Sequence, residues 1–332
     1  MKVTMKDIAK EAGVSVATVS HVINGTKNIT EPKRSKVLEI IEKYHYVPNS
    51  TAKNLRTQST KTAAMVVSSF TDSFVNGMIY GVEQKAREMG YSLLLVNTNE
   101  DEKYEKKTIN LLYSKMVDGI ILSPTSNDIG YLNDFTESMP IVLVNRYNPV
   151  VKNAPRVTGD NFRVGYDATT HLIQHGHRNI GVIYAVPNVS TTEGRLNGYR
   201  RALKENGIPY DEDHLELGYA TVEGGAKAAE TLLKKEKDIT ALFIQNDLMT
   251  IGVISKLKEL GLEVPEDIAL IGFGDSPSAA ITAPPITNMV LPPEEIGTKA
   301  FESLSKLIDG EAHVENIELP ASMVVRKSCG CE

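Results

Sequence analysis

Three groups of residues in this 332-residue chain have the types and spacing that chemistry needs. The first lies in Gly13–Gly25, GVSVATVSHVING, where Ser15, Val16, Ala17, Thr18, Ser20, His21 and Asn24 offer small apolar groups, hydroxyls, an amide and one imidazole. No acid–base pair or metal-ligand spacing occurs there. Such a set suits nucleic acid: valine or alanine meets a thymine methyl, histidine donates to a guanine acceptor, and hydroxyls reach phosphates. The second is Arg195, in TTEGRLNGY, whose fork can grip two vicinal hydroxyls or a carboxylate. The third comprises His171, His175 and His177, with Cys329 and Cys331 in a C-terminal CGC. His171 and His175 sit one helical turn apart, and His177 falls beyond Gly176. Two thiolates do not complete a tetrahedral zinc site by themselves, and their number excludes a disulfide framework. The expectation is therefore surface histidines at a helix end, a solvated tail, no metal and no cofactor. With no GxSxG, no P-loop and no GxGxxG after a strand, an enzyme is not expected.

These residues need elements to position them. Met5, Ile8, Ala9 and Ala12 fall at helical spacing, and Gly13 ends that helix. Ser15 can cap a second helix through Val22, with Val19, Val22 and Ile23 inward and Val16, Ala17, Ser20 and His21 outward. Asn24-Gly25 terminates it. A third helix begins near Thr30, a candidate cap, with Pro32 in its first turn and Val37, Ile40, Ile41 and Tyr44 as its stripe. Two helices joined by a tight turn and braced by a third make a helix-turn-helix. The polar run VPNSTAKNLRTQST that follows is a connector too short for a stable helix alone. From Lys61, apolar runs such as AAMVVSSF, SLLLVN, DGIILS and PIVLVN alternate with helical segments. A second series follows, with NIGVIY, TALFIQ and DIALIGF. This alternation predicts an α/β core of two doubly wound lobes, with a ligand cleft at the carboxyl ends of the strands.

Composition agrees. Hydrophobic residues make up 41% and charged residues 23%, the balance of a globular protein. The N-terminus lacks the unbroken apolar segment of a secretory signal, and no run approaches a membrane span, so a cytoplasmic protein without membrane partners is expected. Net charge is −6, but residues 1–60 carry ten Lys/Arg against five Asp/Glu, leaving −11 on the rest. A small basic module on an acidic body is expected where only one end approaches phosphates.

Over its whole length the sequence resembles the lactose-repressor/galactose-repressor (LacI/GalR) family of bacterial transcription regulators. The resemblance is carried by MKDIAKEAGVSVATVSHVING, YHYVPNSTAKNLR, DNFRVGYDATTHLIQHGHRNIGVI, TEGRLNGYRRAL, VPEDIALIGFGD, PPITNMVLPPEEIG and MVVRKSCG. It implies a homodimer that binds palindromic double-stranded operator DNA, with Val16, Ala17 and His21 as base readers. It also implies that Thr51–Arg56 is a hinge helix; Asn49, Leu55 and Arg56 join the DNA-binding set, Leu55 as a minor-groove wedge. The implied division is a DNA-binding domain over 1–49, a hinge over 50–60, and a sugar-binding-protein-like core. One core lobe spans 61–160 plus 290–321, the other 161–289 plus 322–332. The implied effector residues are Phe74, Ser123, Asn145, Thr191, Arg195, Asn246 and Asp275, and the implied effector is a sugar or derivative that controls carbohydrate genes. Departures at Asn145 and at Gly274 before Asp275 remove carboxylates that accept sugar hydroxyls, and Ala220 after Tyr219 replaces an aromatic platform. They make a less hydroxyl-rich or anionic effector, a sugar phosphate or sugar acid, more plausible, and since the fold hosts many ligands, a nucleobase or a protein co-effector is the alternative.

Overall fold

The computed structural model describes residues 3–46, 59–114, 117–235, 238–274 and 276–331. Two compact units emerge, residues 1–60 and 61–332.

In the first unit, α1 (Met5–Ala12), α2 (Val16–Asn24) and α3 (Glu31–Lys43) enclose a small core. Ile8, Ala9, Ala12, Val19, Val37 and Ile40 are buried, with Val22, Ile23, Ile41 and Tyr46 packed against them. Thr4 and Asp7 form a reciprocal capping box at α1. Gly13 and Gly25 close α1 and α2 in left-handed conformation. Three details differ from the sequence expectation. Helix α2 continues past Val22 to Asn24. Thr30 stands at the N-cap of α3 but makes no side-chain cap bond: Pro32 has no N–H to offer, and the Lys33 N–H donates to the Thr30 carbonyl. Tyr44 lies outside the stripe, 40% exposed, with Lys43 over its ring.

The second unit holds two six-stranded sheets. The strands of the first are β1 (Thr62–Val67), β2 (Ser92–Asn97), β3 (Gly119–Leu122), β4 (Ile141–Val144), β5 (Arg156–Gly159) and β11 (Ile317–Leu319), in the order β11-β5-β4-β3-β1-β2 and all parallel. Those of the second are β6 (Ile180–Tyr184), β7 (Leu215–Leu217), β8 (Ala241–Ile244), β9 (Ala269–Phe273), β10 (Thr287–Val290) and β12 (Ser322–Val324), in the order β12-β10-β9-β8-β6-β7. Only β12 runs antiparallel, against β10. Helices α4 (Ser73–Glu88), α5 (Glu102–Ser114) and α11 (Pro293–Ile308) accompany the first sheet. Helices α6 (Asn161–Gln174), α7 (Ser190–Glu205), α8 (Val222–Lys235), α9 (Asp247–Glu259) and the short α10 (Pro277–Ile281) accompany the second. The chain changes sheets between β5 and β6, between β10 and β11, and between β11 and β12. The central strands β3, β4, β8 and β9 are fully buried, as the unbroken apolar runs require when helices cover both faces. By contrast β2 is an edge strand with Leu94 and Leu95 about two-fifths exposed.

The C-terminal tail is only partly solvated: Ser328 and Cys329 are buried, Gly330 is exposed and Cys331 half-buried. Cys329 has no exposed surface, and the Ser328 hydroxyl donates to the Leu270 carbonyl and accepts from the Thr287 N–H. The sequence reading missed this because CGC has no periodicity; only the folded sheet supplies its partners.

Candidate DNA-reading helix and effector cleft

On α2 the local chemistry fixes which groups face outward. The Ser15 hydroxyl accepts from the Thr18 N–H at 3.1 Å, so Ser15 is a true cap. Val16 and Ala17 are exposed, and Ser20 and His21 half-buried. Nδ1 of His21 lies 2.8 Å from the Thr26 hydroxyl, which leaves Nε2 as the nitrogen for a base edge. The Asn24 amide donates to the Ser20 carbonyl at 2.7 Å, closing the last turn. Ser15, Val16, Ala17, Thr18, Ser20, His21 and Asn24 thus occupy one short helix and its cap. Asn49, Leu55, Arg56 and the expected hinge helix lie outside the described residues.

In the core, both sheets send the carboxyl ends of their strands to one cavity of about 70 Å³. Ser68 and Ser69 follow β1, Asn145 and Arg146 follow β4, and Ala185 and Val186 follow β6. Gln245 and Asn246 follow β8, and Phe273 ends β9. Asp72, Phe74, Thr191 and Arg195 enter from helix starts. This is where open α/β sheets take ligands. Five expected residues therefore meet in the cleft: Phe74, Asn145, Thr191, Arg195 and Asn246. Ser123 does not join them. It is buried after β3, its hydroxyl has no protein partner among the described residues, and it is not part of the cavity wall. Asp275 lies outside the described residues.

Arg195 is buried and held on three sides. Its Nε donates to Asn161 Oδ1 at 2.9 Å, and its Nη1 to the Gln245 carbonyl at 2.6 Å. Its guanidinium stacks 3.6 Å from the centroid of Phe273. Burial pushes its pKa down to about 9, against the pull of Asp72, so it stays charged at neutral pH. Phe273 in turn meets Phe74 with ring centroids 5.5 Å apart. This pair joins the two lobes.

Polar contacts also cross the cleft. Asn246 donates to Asp72 at 3.0 Å, Ser73 donates to Asp247, and the Tyr147 N–H donates to Ser190 at 2.9 Å. Asp72 caps α4 as well, accepting from the N–H groups of Phe74 and Val75. Burial, reinforced by the Asp247 charge, pushes the Asp72 carboxyl above its ordinary range. The other lining carboxylate, Glu100, is gripped at both oxygens by Arg146 at 2.8 Å. One group is left over: neither side-chain atom of buried Gln245 has a protein partner among the described residues. Sequence reasoning passed over Asp72, Glu100, Arg146 and Gln245. Gln245 was legible in principle, as the polar residue ending the apolar strand TALFIQ next to Asn246.

Comparison with known proteins agrees with this geometry. Residues 4–49 match the family model described as bacterial regulatory proteins, lacI family. Residues 60–327 match that of periplasmic binding proteins and sugar binding domain of LacI family. The HTH-type transcriptional repressor PurR of Aliivibrio salmonicida is 34% identical over 329 residues, 98% of each chain. PurR of Pasteurella multocida is likewise 34% identical over 329 residues, 98% of each chain. The solved complex of the transcriptional regulator CelR with cellobiose is 32% identical, with a TM-score of 0.75, and covers 98% of this chain and 99% of that one. The lac repressor dimer bound to operator and the anti-inducer ONPF shares the fold at a TM-score of 0.87, with 23% identity over 99% of each chain.

Proposed function

This chain belongs to the LacI family of bacterial regulatory proteins and is a DNA-binding transcriptional repressor, not an enzyme; from that premise we propose that it acts as a homodimer on a palindromic operator, under the control of a small molecule held in the interlobe cleft. The observation that carries the effector reading is the cleft wall. Phe74 and Asp72 come from one lobe, and Arg195, Gln245 and Phe273 from the other. A ligand touching both sets binds one lobe arrangement better than another, and only such differential contact shifts an equilibrium. The exposed Leu94 and Leu95 on edge strand β2 favour association of two copies, since such edges in parallel sheets are otherwise covered.

For the effector we favour a flat heteroaromatic molecule bearing carbonyl and N–H groups, of the nucleobase kind, over a sugar. An apolar wall of Phe74 and Phe273 beside an amide, Gln245, whose donor and acceptor have no protein partner among the described residues suits such a ring. Both lining carboxylates, the usual acceptors for sugar hydroxyls, already have partners. The sugar reading keeps one support, the likeness to CelR in its cellobiose complex. A thermal-shift panel of nucleobases, sugars and sugar phosphates against the full chain separates the two, because a true ligand raises the midpoint by mass action. Operator anisotropy with and without each hit then tests control. A panel in which sugars alone stabilise overturns the nucleobase reading; a hit that leaves operator binding unchanged overturns the cleft as the control site.

A further inference from the structure

The C-terminal tail carries a cluster that neither DNA reading nor the effector cleft uses. Its backbone is pinned first: the Leu270 N–H donates to the Ser328 carbonyl at 2.7 Å, beside the Ser328 hydroxyl bonds to Leu270 and Thr287. This sets Cys329 against α6, with its Sγ 3.3 Å from Nε2 of His171. Gly330 follows at φ +88°, a conformation that side-chain-bearing residues rarely adopt, and this turn returns Cys331 to the same helix. Cys331 Sγ then lies 3.5 Å from Nε2 of His171 and 3.2 Å from Nε2 of His175. The donor atoms of His171, His175 and Cys331 all fall within 4.8 Å of one another.

These separations have a chemical meaning. With metal–sulfur bonds of about 2.3 Å and metal–nitrogen bonds of about 2.0–2.1 Å, the sulfur–nitrogen edge of a tetrahedron is roughly 3.5 Å. Three of the four sulfur–nitrogen pairs here lie between 3.2 and 3.5 Å, while Cys329, near His171 alone, stands outside the group of donor atoms that are all within 4.8 Å of one another. His171 and His175 have the four-residue spacing by which one helix face supplies two imidazoles. The Thr287 hydroxyl, 3.1 Å from Cys329 Sγ, provides the outer hydrogen bond that orients a thiolate ligand. Thiolate and imidazole select zinc-like cations over magnesium or calcium.

We propose that His171, His175 and Cys331 form a site for a divalent cation of the zinc kind, which draws in the neighbouring Cys329 as fourth ligand and staples the C-terminal tail to α6. With Cys329 drawn in, four protein donors leave no open position, so its role is structural. The effector reading is not needed for it.

The test uses the full chain, reduced, stripped with chelator and titrated with Co2+ and then Zn2+. The expected result is one equivalent per chain, sulfur-to-cobalt charge transfer, the intense visible bands of tetrahedral Co2+, and a midpoint raised by Zn2+. Cys331→Ser and His175→Asn, at the outer edge of the cluster, should each weaken Zn2+ binding by at least about tenfold and abolish the midpoint rise. Stoichiometric uptake failing in the reduced wild type, an octahedral cobalt spectrum, or equal affinity in folded variants overturns the site. Should a variant not fold, the wild-type cobalt spectrum and stoichiometry decide alone.

Discussion

Replacing Gln245 by methionine separates the two demands the cleft makes on this residue. Methionine keeps the length and fills the same space, so it opens no cavity. It removes a buried amide whose oxygen and nitrogen have no protein partner among the described residues. Such a group costs about 1–3 kcal/mol when left unmade. The polar cavity of about 70 Å³ beside it has room for water to relieve part of that cost. The expected gain in the free protein is therefore about 1 kcal/mol, or a rise in midpoint of roughly 2–4 °C for a unit of this size. Effector binding should move the opposite way. Loss of one or two hydrogen bonds to the ligand amounts to about tenfold to a hundredfold in Kd. Differential scanning calorimetry and isothermal titration of the same samples read both quantities. A variant that melts several degrees lower with unchanged effector affinity would refute the reasoning, because the amide would then be structural.

His21→Ala should cost about 1–3 kcal/mol at the specific operator while leaving random DNA nearly unaffected, measured by anisotropy at matched salt. Gly165→Ala should destabilise the core by the upper end of about 1–3 kcal/mol in urea melts, since a Cβ there would stand 1.9 Å from the Arg195 carbonyl oxygen in the α6–α7 crossing. Asp72→Asn should flatten the pH dependence of stability. The folded carboxyl titrates above its ordinary 3.8, so the folded state holds the proton longer, and wild-type stability falls relative to the variant as pH rises from that value through the raised one. The observable is the midpoint difference between the two proteins across that range. Equal pH slopes would place the Asp72 carboxyl in an unperturbed setting.

What the sequence disclosed and what it hid divide along a physical line. Local signals carried the first unit: Ser15, Gly13 and Gly25 mark α2 through bonds made within a few residues. Unbroken apolar runs marked the buried central strands. The short strands β5, β7, β10, β11 and β12 escaped because three or four residues hold too little pattern. Arg195 stood out by its charge in TTEGR, but its partners Asn161 and Gln245 are 34 and 50 residues away. The His171–Cys329 pair spans 158 residues, so surface helix end and solvated tail were reasonable separate readings of two segments that the fold joins. Ser123, matched by motif, is buried with a hydroxyl unpartnered among the described residues and stands apart from the cavity lining, a placement that depends on the packing around β3 and not on local pattern.

The central claim is that one molecule in the cleft changes how tightly α2 and its symmetry mate hold DNA. The direct measurement is the anisotropy of a duplex selected from random sequence, titrated with full-length protein, with and without the molecule that raises the core's melting midpoint. The account predicts a change in operator Kd of at least about fivefold, the lower end of ordinary allosteric coupling, and no comparable change on a scrambled duplex. An effector that stabilises the core yet leaves the operator Kd unmoved would contradict it.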